Sequence, residues 1–126
     1  IAYGVSAMIQ IAKSSDSDPL SCKEICNRVQ MPEGYVLQIL RKLRMAGLLN
    51  STRGVQGGYN LARPIDQISV MDVCDALGVQ MRWECRTQAG MTTPDAGQDL
   101  ATTQVMDSIA SQVRSCLWDI KLSALL

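Results

Sequence analysis

Apolar residues recur at helical spacing in five stretches of the chain, most of them marked off by residues that start or stop helices. From Ala2 to Ala12 the apolar stripe is Val5, Met8, Ile9 and Ala12, and it runs into the polar turn SSDSDP. Ser21-Cys22-Lys23-Glu24 has the pattern of a capping box, in which the serine hydroxyl and the glutamate each satisfy a backbone N–H left over at a helix start. Cys22, Ile25, Cys26 and Val29 follow at i, i+3, i+4 and i+7, so the second helix is short and amphipathic. After the break Gln30-Met31-Pro32, a proline and an acid suit the first turn of a third helix. Its buried stripe is Val36, Ile39, Leu40 and Leu43, and Gly47 is placed for a left-handed C-terminal cap. Gly34, Leu37, Gln38, Arg41, Lys42 and Arg44 are left facing outward. Two short helices across a tight break, the second carrying outward Gln, Arg and Lys, have the layout of a helix-turn-helix.

The period changes after Gly47. Leu48 to Thr52 and Tyr59 to Ala62 are short runs around the glycine-rich GVQGG, the pattern of a β-hairpin, and a hairpin directly after a helix-turn-helix is a wing. Ser69-Val70-Met71-Asp72 is again cap-like, and Val70, Val73, Cys74 and Leu77 form a stripe that stops at Gly78, which predicts a fourth helix behind the first three. Residues 79–99 are polar, with Gly90, Pro94 and Gly97 and no period, so they are expected to form a loop. Leu100 to about Asp119 resumes helical spacing, with Val105, Ile109, Val113, Cys116, Leu117 and Ile120 on one side. A late helix this apolar needs a partner surface, and a second copy of the chain around a two-fold axis supplies one. The expected fold is mainly α with a small two-stranded β wing: a winged helix-turn-helix over 1–78, a loop over 79–99 and a dimerisation helix over 100–126.

Composition narrows the function. With 126 residues and 47% hydrophobic content, the chain suits one modest core. No segment approaches the roughly 18 to 20 apolar residues of a membrane span, and no secretory leader pattern opens the chain, so a soluble cytoplasmic protein is expected. Because Ile1 already lies within the first helical stretch, further residues upstream are expected too. The formal charge is zero, yet Arg41, Lys42, Arg44, Arg53 and Arg63 lie between Gly34 and Ile65 without an acid, so this stretch carries +5 against −5 elsewhere. Such a segment can form a local positive face on a neutral protein. Histidine is absent, which excludes Ser-His and Cys-His catalytic pairs and every histidine metal site. The cysteines at 22, 26, 74, 85 and 116 are odd in number and include no CxxC, which suits neither a disulfide framework nor a zinc site. Cys22 and Cys26 fit core packing, whereas Cys85 sits in the polar loop beside Arg86, where a lowered thiol pKa is expected.

The stretch STRGVQGGYNLAR raises the alternative of a phosphate loop. A Walker loop needs GxxxxGK[ST] entering a helix and a dinucleotide fold needs GxGxxG between strand and helix, and RGVQGGY satisfies neither. As a wing, its glycines supply positive φ and let the backbone approach a duplex, with Arg53 at the shoulder free to enter a minor groove.

Taken in order, Tyr3 to Met8, Tyr35 to Leu40, Leu43 to Leu48, Ser51 to Gly54, Gly57 to Ala62 and Ile68 to Val73 follow the pattern of the Rrf-type regulators of bacteria, and the chain resembles that family over residues 1 to about 78 and again from Val105 to Leu126. The resemblance implies a homodimeric winged-helix transcription factor, usually a repressor, whose long C-terminal helix pairs across the two-fold axis. It implies a third helix in the major groove and Arg53 in the minor groove of double-stranded DNA, with a contact set of Ser21, Lys23, Gly34, Tyr35, Leu37, Gln38, Arg41, Lys42, Arg53, Gly57, Gly58 and Tyr59. Gln38 can bond bidentately to adenine, while Arg41 and Lys42 suit phosphate or guanine. Two positions depart from the family. Leu37 stands where some relatives carry a carboxylate that accepts from cytosine, which implies a different operator. Relatives that hold an iron-sulfur cluster have three closely spaced cysteines in the loop before the long helix, whereas this loop offers Cys85 alone, and the other ligand positions fall near Pro94 and Leu100. The expectation is a cluster-free regulator whose signal is a partner protein, a small effector or oxidation of Cys85. A regulator that senses through an iron-sulfur cluster or thiol redox at Cys85, and a winged helix used only for protein interaction, are the alternatives.

Overall fold

Capping residues set where the helices begin and end. The computed structural model describes residues 1–14, 18–79 and 100–126. They form α1 (Ala2–Lys13), α2 (Cys22–Val29), α3 (Glu33–Met45), β1 (Leu49–Thr52), β2 (Gly58–Leu61), α4 (Val70–Leu77) and α5 (Leu100–Asp119), with single 3-10 turns at Ile65–Gln67 and Leu122–Leu125. At the start of α2 the Glu24 N–H donates to the Ser21 hydroxyl at 3.3 Å and the Ser21 N–H donates to the Glu24 carboxylate at 2.9 Å. Ser69 and Asp72 repeat the same reciprocal box at α4, at 3.1 and 2.8 Å. The last turn of α3 is closed by Gly47 at φ 74, which lets the Leu48 N–H reach the Leu43 carbonyl and the Gly47 N–H reach the Arg44 carbonyl, both at 3.0 Å. Leu43 and Leu48 are both fully buried and seal this turn.

The core gathers Met8 and Ile11 of α1, Ile25 of α2, Val36, Leu40 and Leu43 of α3, then Leu48, Leu49, Ile68 and Val73. On α3 the expected stripe holds, with Ile39 half-buried at its edge. On α1 the inward line is Gly4, Ala7, Met8 and Ile11, while Val5, Ile9 and Ala12 are only half-buried. The rotation has a local cause: α1 runs so close to α4 that a Cβ at Gly4 would stand 2.6 Å from Leu77 Cδ1. A glycine at the crossing turns its own face inward, whatever the apolar residues beside it. On α4, Met71 joins Val73 and Cys74 in the core, and Val70 and Leu77 are half-buried.

β1 and β2 pair antiparallel, from Leu49 opposite Leu61 to Thr52 opposite Gly58. A rung that no periodicity announced extends the hairpin: the Leu20 N–H donates to the Tyr59 carbonyl at 3.0 Å, and the Tyr59 N–H donates back at 2.8 Å. Leu20 directly precedes the capping serine of α2, so the wing and the first helix of the helix-turn-helix are fixed to each other. At the other end, the Val70 N–H donates to the Ile120 carbonyl at 2.9 Å and the Leu122 N–H to the Ile68 carbonyl at 2.8 Å. These bonds tie the end of α5 to the entry of α4 and seat a fully buried Leu122 in the core.

α5 packs against α4, with Arg114 and Asp75 paired at 3.5 Å. Met106, Ala110, Val113 and Leu117 are half-buried, whereas Val105 is 58% exposed, Ile109 40%, and Cys116 and Ile120 are exposed too. The six-residue dimer stripe expected from the sequence therefore divides. Val113 and Leu117 belong to the half-buried line, and Val105, Ile109, Cys116 and Ile120 remain on the outer face.

Candidate nucleic-acid interface

The turn between α2 and α3 is made by Gln30, whose φ of 56 lies in the left-handed region, with the Met31 N–H donating to the Cys26 carbonyl at 3.2 Å. It brings α3 across α2 with Val36, Leu40 and Leu43 inward. Gly34, Tyr35, Leu37, Gln38, Arg41, Lys42 and Arg44 are all exposed. Leu37 is 40% exposed, so it faces solvent rather than adding to the core. One outward residue escaped the sequence reading: Met45, 83% exposed, continues the line of Gln38 and Arg41 at i+7 and i+4. Its position in that spacing was the signal, and its apolar character hid it.

Most cations on this surface are outside any salt bridge among the described residues. Lys23, Arg28, Arg41, Arg44 and Arg53 are exposed, and none forms a salt bridge among the described residues. Arg63 is different, because it lies 3.8 Å from Asp72 and so drops out of the +5 counted along the sequence. Lys42 is also partly engaged: its ammonium donates to the Leu77 carbonyl at 3.3 Å, at the C-terminal end of α4, where a cation is favoured. Lys42 and Tyr35 thus turn toward a cleft of about 220 Å³ lined also by Tyr3, Gln38, Ile39 and Leu77. Gln38 borders the same cleft, and Arg41 is exposed outside it.

On the wing, Arg53, Val55 and Gln56 are exposed at the turn, and Gly54 takes φ 125. Gly57 and Gly58 do not have positive φ, contrary to expectation. A Cβ at Gly57 would strike the Thr52 carbonyl, and one at Gly58 would stand 2.5 Å from the Leu20 carbonyl. Gly58 is buried against the backbone of Leu20, so its missing side chain makes room for that rung. Tyr59 is half-buried and packs on the core. The Ser21 hydroxyl is engaged with the Glu24 carboxylate at 2.6 Å, and these hydrogen bonds from Ser21 lower the Glu24 pKa, whereas neighbouring Lys23 is exposed.

Four cysteines fall among the described residues. Cys74 is buried and burial raises its thiol pKa; Cys116 is exposed; Cys22 and Cys26 have their sulfurs 3.9 Å apart. Burial, followed by the hydrogen bond with Cys26, pushes the Cys22 thiol up to about 11. Among the described residues no three His, Cys, Asp or Glu side chains come together as a metal site. Cys85 and the rest of residues 80–99 lie outside the described residues. No described helix is long and apolar enough to cross a membrane.

A helix-turn-helix with an exposed polar second helix, a hairpin locked to its first helix and a long trailing helix defines a winged helix-turn-helix protein. The comparisons with known proteins place it further. The model of the Rrf2 family, described as an iron-dependent transcriptional regulator, matches residues 1–126, and the chain belongs to that family. It is 31% identical to the transcriptional regulator IscR of Vibrio atlanticus over 124 residues, which cover 98% of this chain and 70% of that protein. It is 39% identical to CymR of Bacillus subtilis over 75 residues, 60% of this chain and 54% of that one. Against several curated relatives the matched stretch spans about half of their length, 51% for the Synechocystis regulator slr0846. Among solved structures, T. potens IscR superposes with a TM-score of 0.73 at 30% identity, covering 98% of this chain and 80% of that one. The B. subtilis CymR structure gives 0.72 at 30% identity, covering 98% and 90%.

Proposed function

We propose that this chain is a sequence-specific DNA-binding repressor that acts as a two-fold dimer and works without the iron-sulfur cluster used by some of its relatives. The observation that carries the DNA reading is the outer face of α3, where Gln38, Arg41 and Arg44 are exposed beside the exposed Arg53 of the wing and none of these arginines is in a salt bridge among the described residues. Donors held on a helix can read base edges in a major groove, and free cations meet phosphates or a narrow minor groove. In this reading Gln38 pairs with adenine, Arg41 takes phosphate or guanine, Leu37 touches a thymine methyl and Arg53 enters the minor groove.

The dimer reading is supported by Val105, Ile109 and Cys116 on the outer face of α5 and Ile120 just past its end, all exposed, an apolar strip that a second copy would dry. A dimer of helix-turn-helix units reads two half-sites about 34 to 36 Å apart, or a multiple of that, so the operator is a palindrome. Bound across a promoter, such a dimer represses by occupancy. The cluster-free reading is supported by the sequence, which has Cys85 as the sole cysteine between 79 and 99. Control then passes to a regulatory protein, a small effector or the Cys85 thiol.

Anaerobic purification followed by an absorption spectrum and selection from fragmented genomic DNA tests the whole reading. A colourless protein that enriches a palindrome is expected. Visible charge-transfer bands would overturn the cluster-free part, and failure to enrich any sequence at low salt would sink the DNA-binding part.

A further inference from the structure

Cys22 and Cys26 lie four residues apart on α2, and their sulfurs approach to 3.9 Å. Cys26 is almost fully buried, while Cys22 is half-buried and gives solvent access to the pair. Neither thiol is needed for the capping of α2, which Ser21 and Glu24 perform. We propose that Cys22 and Cys26 form a two-thiol site for a soft monovalent metal ion of the copper(I) class, bridging one turn of the first helix of the helix-turn-helix.

Three chemical outcomes compete for two thiols so placed, and geometry separates them. A disulfide needs Cβ atoms about 3.5 to 4.5 Å apart, whereas residues four apart on a helix hold theirs at about 5 to 6 Å. Joining them directly would unwind the first turn of α2 and its capping box. Zinc takes about four ligands in a closed site, and among the described residues no third His, Cys, Asp or Glu joins the pair. A two-coordinate soft ion requires only two sulfurs. With metal–sulfur bonds of about 2.3 Å, taking the zinc–thiolate length as a guide, it spans at most about 4.6 Å between them. At the observed 3.9 Å such bonds would enclose an angle of only about 116°, so the near-linear bridge a two-coordinate ion prefers requires the two sulfurs to move apart by about 0.7 Å, toward 4.6 Å. Thiolate ligands select copper(I) over the harder divalent ions.

The step is a ligand exchange with no change of oxidation state. Two neutral thiols and one copper(I) ion give an anionic bis-thiolate complex and two protons. Burial pushes the Cys22 thiol up to about 11, so near neutral pH Cys22 gives up its proton only on binding and apparent affinity rises with pH.

The test is anaerobic titration of the full chain with copper(I) against a chromophoric copper(I) chelator, with proton release followed in weak buffer. Wild type and a Cys85→Ser/Cys116→Ser variant are expected to withdraw one ion per chain and release two protons. Cys22→Ser, a change at the half-buried position, is expected to weaken binding by more than about 100-fold, the upper range for losing a supporting group rather than a ligand. Cys26→Ala is the second variant, read only where circular dichroism shows a folded chain, and is expected to lose the ion as well. Unchanged binding in Cys22→Ser, no withdrawal of copper(I) by wild type, or loss of binding in the Cys85→Ser/Cys116→Ser variant would each overturn the site. None of these readouts involves DNA, so the site and the proposed function stand or fall separately.

Discussion

The outer faces of α3 and α5 are both left to solvent, and they differ in charge. α3 turns Val36, Leu40 and Leu43 in and presents Gln38, Arg41 and Arg44 alongside the exposed Tyr35, Leu37 and Met45, whereas the outer line of α5 and the residue after it leave Val105, Ile109 and Ile120 between 40% and 58% exposed with no cation among them. Exposed donors cost nothing in water and gain when acceptors of fixed geometry arrive, as on a base edge or a phosphate. An exposed apolar strip gains only by becoming dry. Under the proposed function one face meets DNA and the other meets its own copy, and the two can be broken separately.

The largest effect is expected on the apolar side. Val105→Glu with Ile109→Glu sets charges into a surface that association must dry, at several kcal/mol per uncompensated charge. Sedimentation should show monomers at concentrations where wild type is dimeric, and affinity for a palindrome should collapse while a single half-site is still bound weakly. Persistence of the dimer would move the interface off this face. Next in size is Arg53→Ala, expected to cost about 1 to 3 kcal/mol of operator binding, the range for one specific arginine contact, without changing the sedimentation of the protein.

A finer distinction lies within α3. Arg41→Ala should lower the slope of log affinity against log salt by about 0.9 if Arg41 meets a phosphate. Lys42→Ala should lower it less, because the Leu77 carbonyl already holds that ammonium. The opposite order would mean that Lys42 leaves its place and becomes the principal contact.

Features set by neighbouring residues and features set by distant ones were not equally legible in the sequence. Capping boxes, the Gly47 cap and the inward stripe of α3 are local, each written within four to eight residues, and they were legible in the sequence. The roles of Lys42, Gly58 and Gly4 were not, because Leu77, Leu20 and again Leu77 decide them from distant parts of the chain. The α5 stripe lay between these cases. Its period showed an apolar side, but an α-helix can carry two adjacent lines, and only the packing on α4 separates Val113 and Leu117 from Val105 and Ile109. Leu122 escaped because a four-residue 3-10 turn is too short to display a period.

Smaller effects concern the frame that holds both faces. Ser69→Ala removes the hydroxyl that accepts from the Asp72 N–H and should lower unfolding stability in urea by about 1 kcal/mol, the usual worth of an N-cap, with DNA contacts otherwise unchanged. The smallest is a pH effect. The Cys22 thiol keeps its proton in the fold up to about 11 against an ordinary value of 9.0. The unfolded chain therefore loses that proton first, and the stabilisation present below 9.0 is lost as pH rises toward 11. Urea melts across this window should show a downward slope that Cys22→Ser flattens.

The central claim is that the cations of α3 and the wing meet a DNA backbone and its bases. It is tested most directly by fluorescence anisotropy of the palindrome recovered from genomic DNA, titrated at several salt concentrations with wild type and with Arg41→Ala/Arg53→Ala. The account predicts affinity that falls steeply with salt for wild type, and a double variant with weaker binding and a salt slope shallower by about 0.9 for each phosphate contact removed. Equal affinity and equal slope for the two proteins would contradict it.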